Sequence, residues 1–464
     1  MNFFLFMLLI IFINSQTTIR LPFKRNNPDS SKITPETFAG FILDNYYFTE
    51  IKIGSNKQKI PMRISFDDYH SFVTIYNYTG NFIKYNPDES KTYEKLYGER
   101  AYSFLNIKKG MNSKERFTLK DKNNKDISLD NLEFVLATEP NLNISGDFGL
   151  SISTKDESFN RLIDFSFILN LYKNNYINHK IFTINFDNKD SGEIIIGDRL
   201  EDYLNIEYDS FVESYIPVNE KKENFWGLQY ITSSINGKKL FIREQTAQFL
   251  IENYVIKPHS CYKENIDELF FNEQVKNNKC IFTNDTIESS FYHCDKNIDL
   301  SNFPKLDLYQ RDFNFTFELT ANDLFEDFGD RKYFLMNFNN DNDRWVLGQP
   351  FLKKYNFTYN LDSKSIGMYF GIKKSPKKGK KLNTMWIVLI ICSIIIIALG
   401  VVIYLLIKKI PRKTRANELE ENYDYQGTKI GNEKNNINSD NNDNEKNQKN
   451  RGGLYPYEYG KSFL

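Results

Sequence analysis

Phe48-Thr49-Glu50-Ile51-Lys52-Ile53-Gly54 alternates apolar and polar side chains, and the same two-residue period returns in residues 180–186 and 313–319. Alternation of this kind places one face of a strand on a core and the other in solvent. Clusters of Gly, Asn and Asp, such as Asp187 to Gly192 and Asn339 to Asp343, punctuate the runs at turn positions. One stretch departs from the strand period: Leu162, Phe165, Ile168 and Leu171 recur at helical spacing and predict a helix over 159–171. The interior of the chain reads as a mostly β body with two cores.

Two longer apolar blocks lie outside that body. Residues 3–13 are continuously apolar and end at Asn14-Ser15-Gln16, the pattern of a secretory signal peptide (1–15), too short to span a bilayer. Met385 to Ile407 runs 23 residues without a charge. It is apolar on every face and is expected to be a transmembrane helix. Lysines and arginines flank it on both sides, so the positive-inside rule does not orient it. The signal peptide does, placing the body outside the cell or in an endomembrane lumen, with a Lys-rich stalk (372–384) before the span and the tail (408–464) in the cytosol. That tail is rich in Asn, Asp, Glu and Lys and is expected to be disordered. The expected localisation is a single-pass type I membrane protein.

Composition adds exclusions. The chain has 464 residues, is 41% hydrophobic and carries a formal net charge of zero, so no overall field draws it to nucleic acid. Five glycosylation sequons begin at Asn77, Asn143, Asn284, Asn314 and Asn356, all before the span. Cys261, Cys280 and Cys294 crowd together in the body, so one disulfide among the three is expected in an oxidising compartment, with one thiol left over. His259 and His293 are nearby, but the spacing fits no compact zinc pattern, and neither metal nor cofactor is expected.

Tyr46-Tyr47-Phe48-Thr49-Glu50-Ile51-Lys52-Ile53-Gly54, Tyr85-Asn86-Pro87 with Ser90-Lys91-Thr92-Tyr93, Gly146-Asp147-Phe148-Gly149-Leu150 and Trp345-Val346-Leu347-Gly348-Gln349-Pro350-Phe351-Leu352 occur in one order along the body. In sequence and order they resemble the pepsin-like aspartic protease family, over about Tyr46 to Gly371. The resemblance implies an all-β, bilobal acid-protease fold, with an N-terminal lobe over 46–203 and a C-terminal lobe over 204–371. It also implies a short prosegment-like lead over 16–45, whose residues 19–25 look like the first prosegment strand. Tyr97 and Gly98 stand where the family's flap tyrosine and glycine lie over the substrate groove.

Family chemistry uses two carboxylates, one per lobe, that share a proton and activate one water. Each sits in a turn shaped by a glycine and hydroxyl side chains. Here Asp67 matches the first aspartate, but Asp68, Tyr69 and His70 replace the threonine, glycine and serine after it. His70 is expected at the surface. In the second lobe, counting from Ile235-Asn236-Gly237 or back from Pro258 places Phe249 or Leu250 at the aspartate. Glu252 is the one acid in reach, and only after a slip of two or three residues. The expected function is therefore a catalytically silent, membrane-anchored relative that binds a peptide or protein ligand in its interlobe groove, with Asp67 vestigial. The alternatives are an active aspartic endopeptidase with a non-standard site, and a glycosylated surface adhesion protein.

Overall fold

The computed structural model describes residues 18–26, 33–67, 70–101, 107–141, 143–152, 166–204, 206–218, 225–240, 243–286, 289–339, 344–372 and 384–409. The expected signal peptide, most of the stalk, the tail beyond residue 409 and residues 159–165 of the predicted helix lie outside them. The chain divides into two compact units, residues 1–378 and 379–464.

In the first unit the alternating segments are strands. Tyr47–Ile53 buries every second residue, and Ile51 and Ile53 are fully inaccessible. A 14-stranded sheet runs through the unit. Ile19–Arg25 lies inside it, paired antiparallel with Ser191–Ile196 and with Tyr47–Ile53. Tyr208–Tyr215, Phe357–Asn360 and Ser365–Ile372 of the second lobe continue the same sheet through Ile181–Phe186. The second lobe adds a six-stranded and a four-stranded sheet. The predicted helix is seen, among the described residues, as Phe167–Lys173. Cys280 and Cys294 face each other across the antiparallel pair Cys280–Thr286 and Ser289–Asp295 and form the disulfide, leaving Cys261 as an exposed thiol.

The lead segment touches both lobes. Its strand belongs to the large sheet, while the helix Pro35–Asp44 lays Phe38 and Phe41 on Phe291, Phe328 and Tyr333 of the four-stranded sheet. An aromatic seam joins the lobes: Phe182 stacks on Tyr359 with ring centres 4.7 Å apart, and Phe66 meets Tyr359 at 5.0 Å. The Trp226 indole N–H crosses to the Leu150 carbonyl at 2.7 Å.

In the second unit, Thr384–Lys409 is one helix of 26 residues whose bounds enclose the apolar block. Among the described residues no helix is long and apolar enough to cross a membrane. The transmembrane helix expected over 385–407 is thus not established by the structure.

Candidate functional site

Each lobe builds its half of the site from a strand that enters parallel to a second strand, turns, and returns on that strand's other side. In the first lobe the Gln58–Ser65 strand enters beside Gly146–Gly149, with Ile64 opposite Phe148, and the chain returns with Phe72 opposite Asp147. In the second lobe Gln245–Phe249 enters beside Trp345–Leu347, with Phe249 opposite Leu347, and the chain returns with Lys257 opposite Val346. Close approach makes glycine necessary on the central segments. A Cβ on Gly146 would lie 2.6 Å from the Phe72 carbonyl oxygen, and one on Gly348 would lie 2.4 Å from that of Asn253.

These pairings fix the correspondence between the two turns. Matching Gly149 to Gly348 makes Phe148 the counterpart of Leu347 and Asp147 that of Val346. Ile64 then corresponds to Phe249 on the entering side and Phe72 to Lys257 on the returning side, an offset of 185 residues in both cases. With no insertion between the flanks, the counterpart of Asp67 is Glu252. The expectation that Phe249 or Leu250 stands at that position is corrected. Counting along the sequence missed it because the register is set by the pairing of Phe249 with Leu347 and of Lys257 with Val346, which neither flank carries.

Glu252 crosses the seam. Its Oε1 accepts the Asp67 backbone N–H at 2.8 Å and the Ser65 hydroxyl at 3.1 Å, and its Oε2 accepts the Phe66 N–H at 3.0 Å. Both carboxylate oxygens are therefore directed at the backbone and hydroxyl of the opposite turn. Asp67 itself is exposed, and its N–H also approaches the Ser65 hydroxyl at 3.3 Å. Asp68 and Tyr69 lie outside the described residues. On the entering strand Arg63 is ion-paired with the fully buried Asp147 at 2.5 Å. Ser71 is buried and accepts the Gly149 N–H at 3.2 Å.

The glycine position of the second turn is Tyr254. Its ring is buried and its hydroxyl is bonded by the Arg25 guanidinium and donates to Glu326, so this side chain points into the contact with the lead segment. His70, expected at the surface, is instead 1% exposed, because the returning limb of the first turn runs inside the lobe. Tyr97 and Gly98 occupy the short link between Glu94–Lys95 and Arg100–Ala101, both paired to Ile107–Asp121. Tyr97 is exposed, with Arg100 4.9 Å from its ring centre. A Cβ on Gly98 would meet nothing, so packing does not require glycine there.

Of the sequon asparagines, Asn77, Asn143, Asn284 and Asn314 are exposed, whereas Asn356 is half-buried and donates to Asn185 at 3.2 Å. Among the described residues no group of three or more His, Cys, Asp or Glu side chains is placed to hold a metal ion.

Burial, then the nearby Asp67 carboxylate, push the Glu252 carboxyl up to about 7, against the pull of Arg63 and the Phe66 N–H. The sign of the consequence follows from proton linkage. Between the ordinary value of 4.5 and about 7, the folded chain holds a proton that the unfolded chain has released. This contribution is fully present below the lower value and is lost as pH rises through the window. Stability is expected to fall on the order of 2–3 kcal/mol across it, and Glu252→Gln flattens the fall. Denaturant unfolding at a series of pH values measures both.

A family model described as eukaryotic aspartyl protease matches residues 46–369. The chain belongs to this family. Its fold is shared with the crystal structure of basic 7S globulin from soybean, at 12% identity and a TM-score of 0.55, over 76% of this chain and 95% of that one. No curated protein sequence matches the chain. This family member thus carries glutamate in place of one aspartate and tyrosine in place of both glycines, Tyr69 and Tyr254.

Proposed function

We propose that this aspartyl-protease relative is a membrane-anchored binding protein that engages a peptide or protein ligand along its interlobe groove without hydrolysing it. The observation that carries the reading is the orientation of Glu252. Hydrolysis requires both carboxylates to hold one water within hydrogen-bond reach. Glu252 instead directs its two oxygens at Ser65, Phe66 and Asp67 of the opposite turn. Its extra methylene carries the carboxyl past the place of a shorter aspartate and into the backbone beneath Asp67. Asp67 and Tyr97 are exposed and would offer an extended ligand a polar and an aromatic contact.

One observation favours a second reading, an acid endopeptidase. A protonated Glu252 beside the Asp67 carboxylate is an acid–base pair with one member from each lobe.

Anchoring rests on the sequence alone, in which residues 385–407 carry no charge. The signal-like N-terminus and the exposed sequons support a luminal or extracellular, glycosylated body.

A randomised peptide library passed over the full chain between about pH 4.5 and 7.5 tests binding. Intact peptides are expected to be retained, and Tyr97→Ala to weaken their retention. Retention of no peptide at any pH overturns the reading.

A further inference from the structure

A cavity of about 480 Å³ opens between the hairpin that joins Ile181–Phe186 to Ser191–Ile196 in the first lobe and the Ala321–Leu324 and Gln349–Leu352 helices of the second. Neither Asp67, Tyr97 nor Glu252 lines it, so it is separate from the two turns and from the groove residues between them. Part of its wall is apolar, from Phe186, Phe325, Leu335 and Pro350, and the rest carries three lysines and three carboxylates. Its volume falls within the range of small-ligand sites, about 300–1,000 Å³.

Two of the lysines are paired. Lys354 holds Asp323 at 2.6 Å, on an oxygen that the Thr320 N–H also reaches at 2.8 Å. Lys189 holds Glu326 at 3.3 Å, on the oxygen that Arg25 meets at 3.4 Å, while the other oxygen of Glu326 accepts the Tyr254 hydroxyl. The third carboxylate, Asp187, is exposed to solvent.

Lys353 is the exception. Among the described residues its side chain has no ion pair and no hydrogen bond, and its ammonium is turned inward, 5.7 Å from the centre of the inaccessible Tyr254 ring. Glu326 and Asp190 attract it from beyond contact, while Arg25 and Lys189 repel it. Burial and the Arg25 charge hold the amine down to about 8, so near neutral pH it is still a cation.

A cation withdrawn from water without an anion in contact is costly. The inner carboxylates of this wall are already bonded to other groups, so the missing counter-ion has to come from outside the chain. Three carboxylates in the same wall disfavour a multiply charged anion, and the apolar side chains favour a hydrocarbon body.

We propose that the cavity binds a small monocarboxylate with an apolar body, whose carboxylate pairs with the Lys353 ammonium while its hydrocarbon part lies on Phe325, Leu335 and Pro350. This ligand site is additional to the interlobe groove, and it stands or falls independently of peptide binding there.

Titration calorimetry of the full chain with phenylacetate and with hexanoate near neutral pH reads the site, and phenylacetamide presents one of the same bodies without the charge. Both acids are expected to bind, and the amide to bind about tenfold or more weakly than phenylacetate, the difference typical of a hydrogen bond to a charged group. Lys353→Met keeps most of the stem, removes the charge and is expected to weaken the acids by a similar factor while leaving the amide unchanged. Inorganic phosphate in excess is expected not to displace the acids. Denaturant unfolding shows whether the variant is folded, and should it not be, the comparison of acid and amide on the natural chain decides. No binding of either acid up to about 10 mM, equal binding of acid and amide, or undiminished binding by the folded variant overturns the proposal. Displacement by phosphate, the mark of a general anion site, overturns it as well.

Discussion

Replacing Arg25 by alanine is expected to destabilise the first unit by about 3–5 kcal/mol, the range for removing one partner of a buried ion pair. The Arg25 side chain is 2% exposed and reaches four groups at once. Its Nε donates to Asn45 at 2.5 Å and its Nη1 to Asp190 at 3.0 Å and to Glu326 at 3.4 Å. Its Nη2 donates to the Tyr254 hydroxyl, and its plane lies 4.6 Å from the Tyr254 ring centre. Burial drives the Glu326 carboxyl upward, and Arg25 is the largest of the charges that overcome this and hold it below its ordinary value. Without the guanidinium, Glu326 is left buried against a hydroxyl and two lysines, and the lead strand loses its tie to the second lobe. Chemical denaturation near neutral pH measures the loss. A change below about 1 kcal/mol, typical of exposed ion pairs, would show that the network contributes nothing net.

Phe38→Ala is expected to remove a similar amount, about 3–5 kcal/mol, through the cavity left by a buried ring. Phe38 is fully inaccessible, and its ring centre lies 4.3 Å from that of Tyr333 and 4.7 Å from that of Phe291. The helix carrying it starts where the sequence directs. Pro35 occupies the first turn, and the Thr34 N–H donates to the Thr37 hydroxyl at 2.9 Å in a capping box. Phe38 and Phe41 then share one face at helical spacing. Because Tyr254 packs on Phe41 and also bonds Arg25, the two substitutions touch one cluster. The double variant is accordingly expected to lose less than the sum of the single losses. Thermal or denaturant unfolding of the two single variants and the double variant measures this.

Much of this architecture was legible in the residues. Alternation at Tyr47–Ile53 and Ile181–Phe186 marked the strands, and the Gly146–Leu150 and Trp345–Leu352 motifs marked the two central segments. These signals are local, so they survive an unknown overall register. The second half of the site was not legible because its position is defined by pairing with Leu347 and Val346, a hundred residues further along the chain. A glutamate in place of an aspartate, followed by Asn253 and Tyr254, also carried none of the expected turn chemistry. His70 misled by its polarity, since burial there follows from the path of the returning limb. The cysteine spacing left three pairings open, and only the strand register that sets Cys280 opposite Cys294 chose among them.

The residues alone argued against catalysis through an expected lack of a second acid. A second acid is present at the corresponding position, and the case for silence rests on where it points. Both turns carry tyrosine in the glycine position, Tyr69 in the first and Tyr254 in the second. In the second, that tyrosine is used to bind the lead segment.

Cleavage of a broad peptide library by the full chain between about pH 3 and 7, run beside the Asp67→Asn and Glu252→Gln variants, tests this central claim most directly. The orientation of Glu252 predicts no turnover by the natural chain at any pH. Turnover in acid that disappears in both variants would show that Asp67 and Glu252 share a water after all, and would contradict the claim.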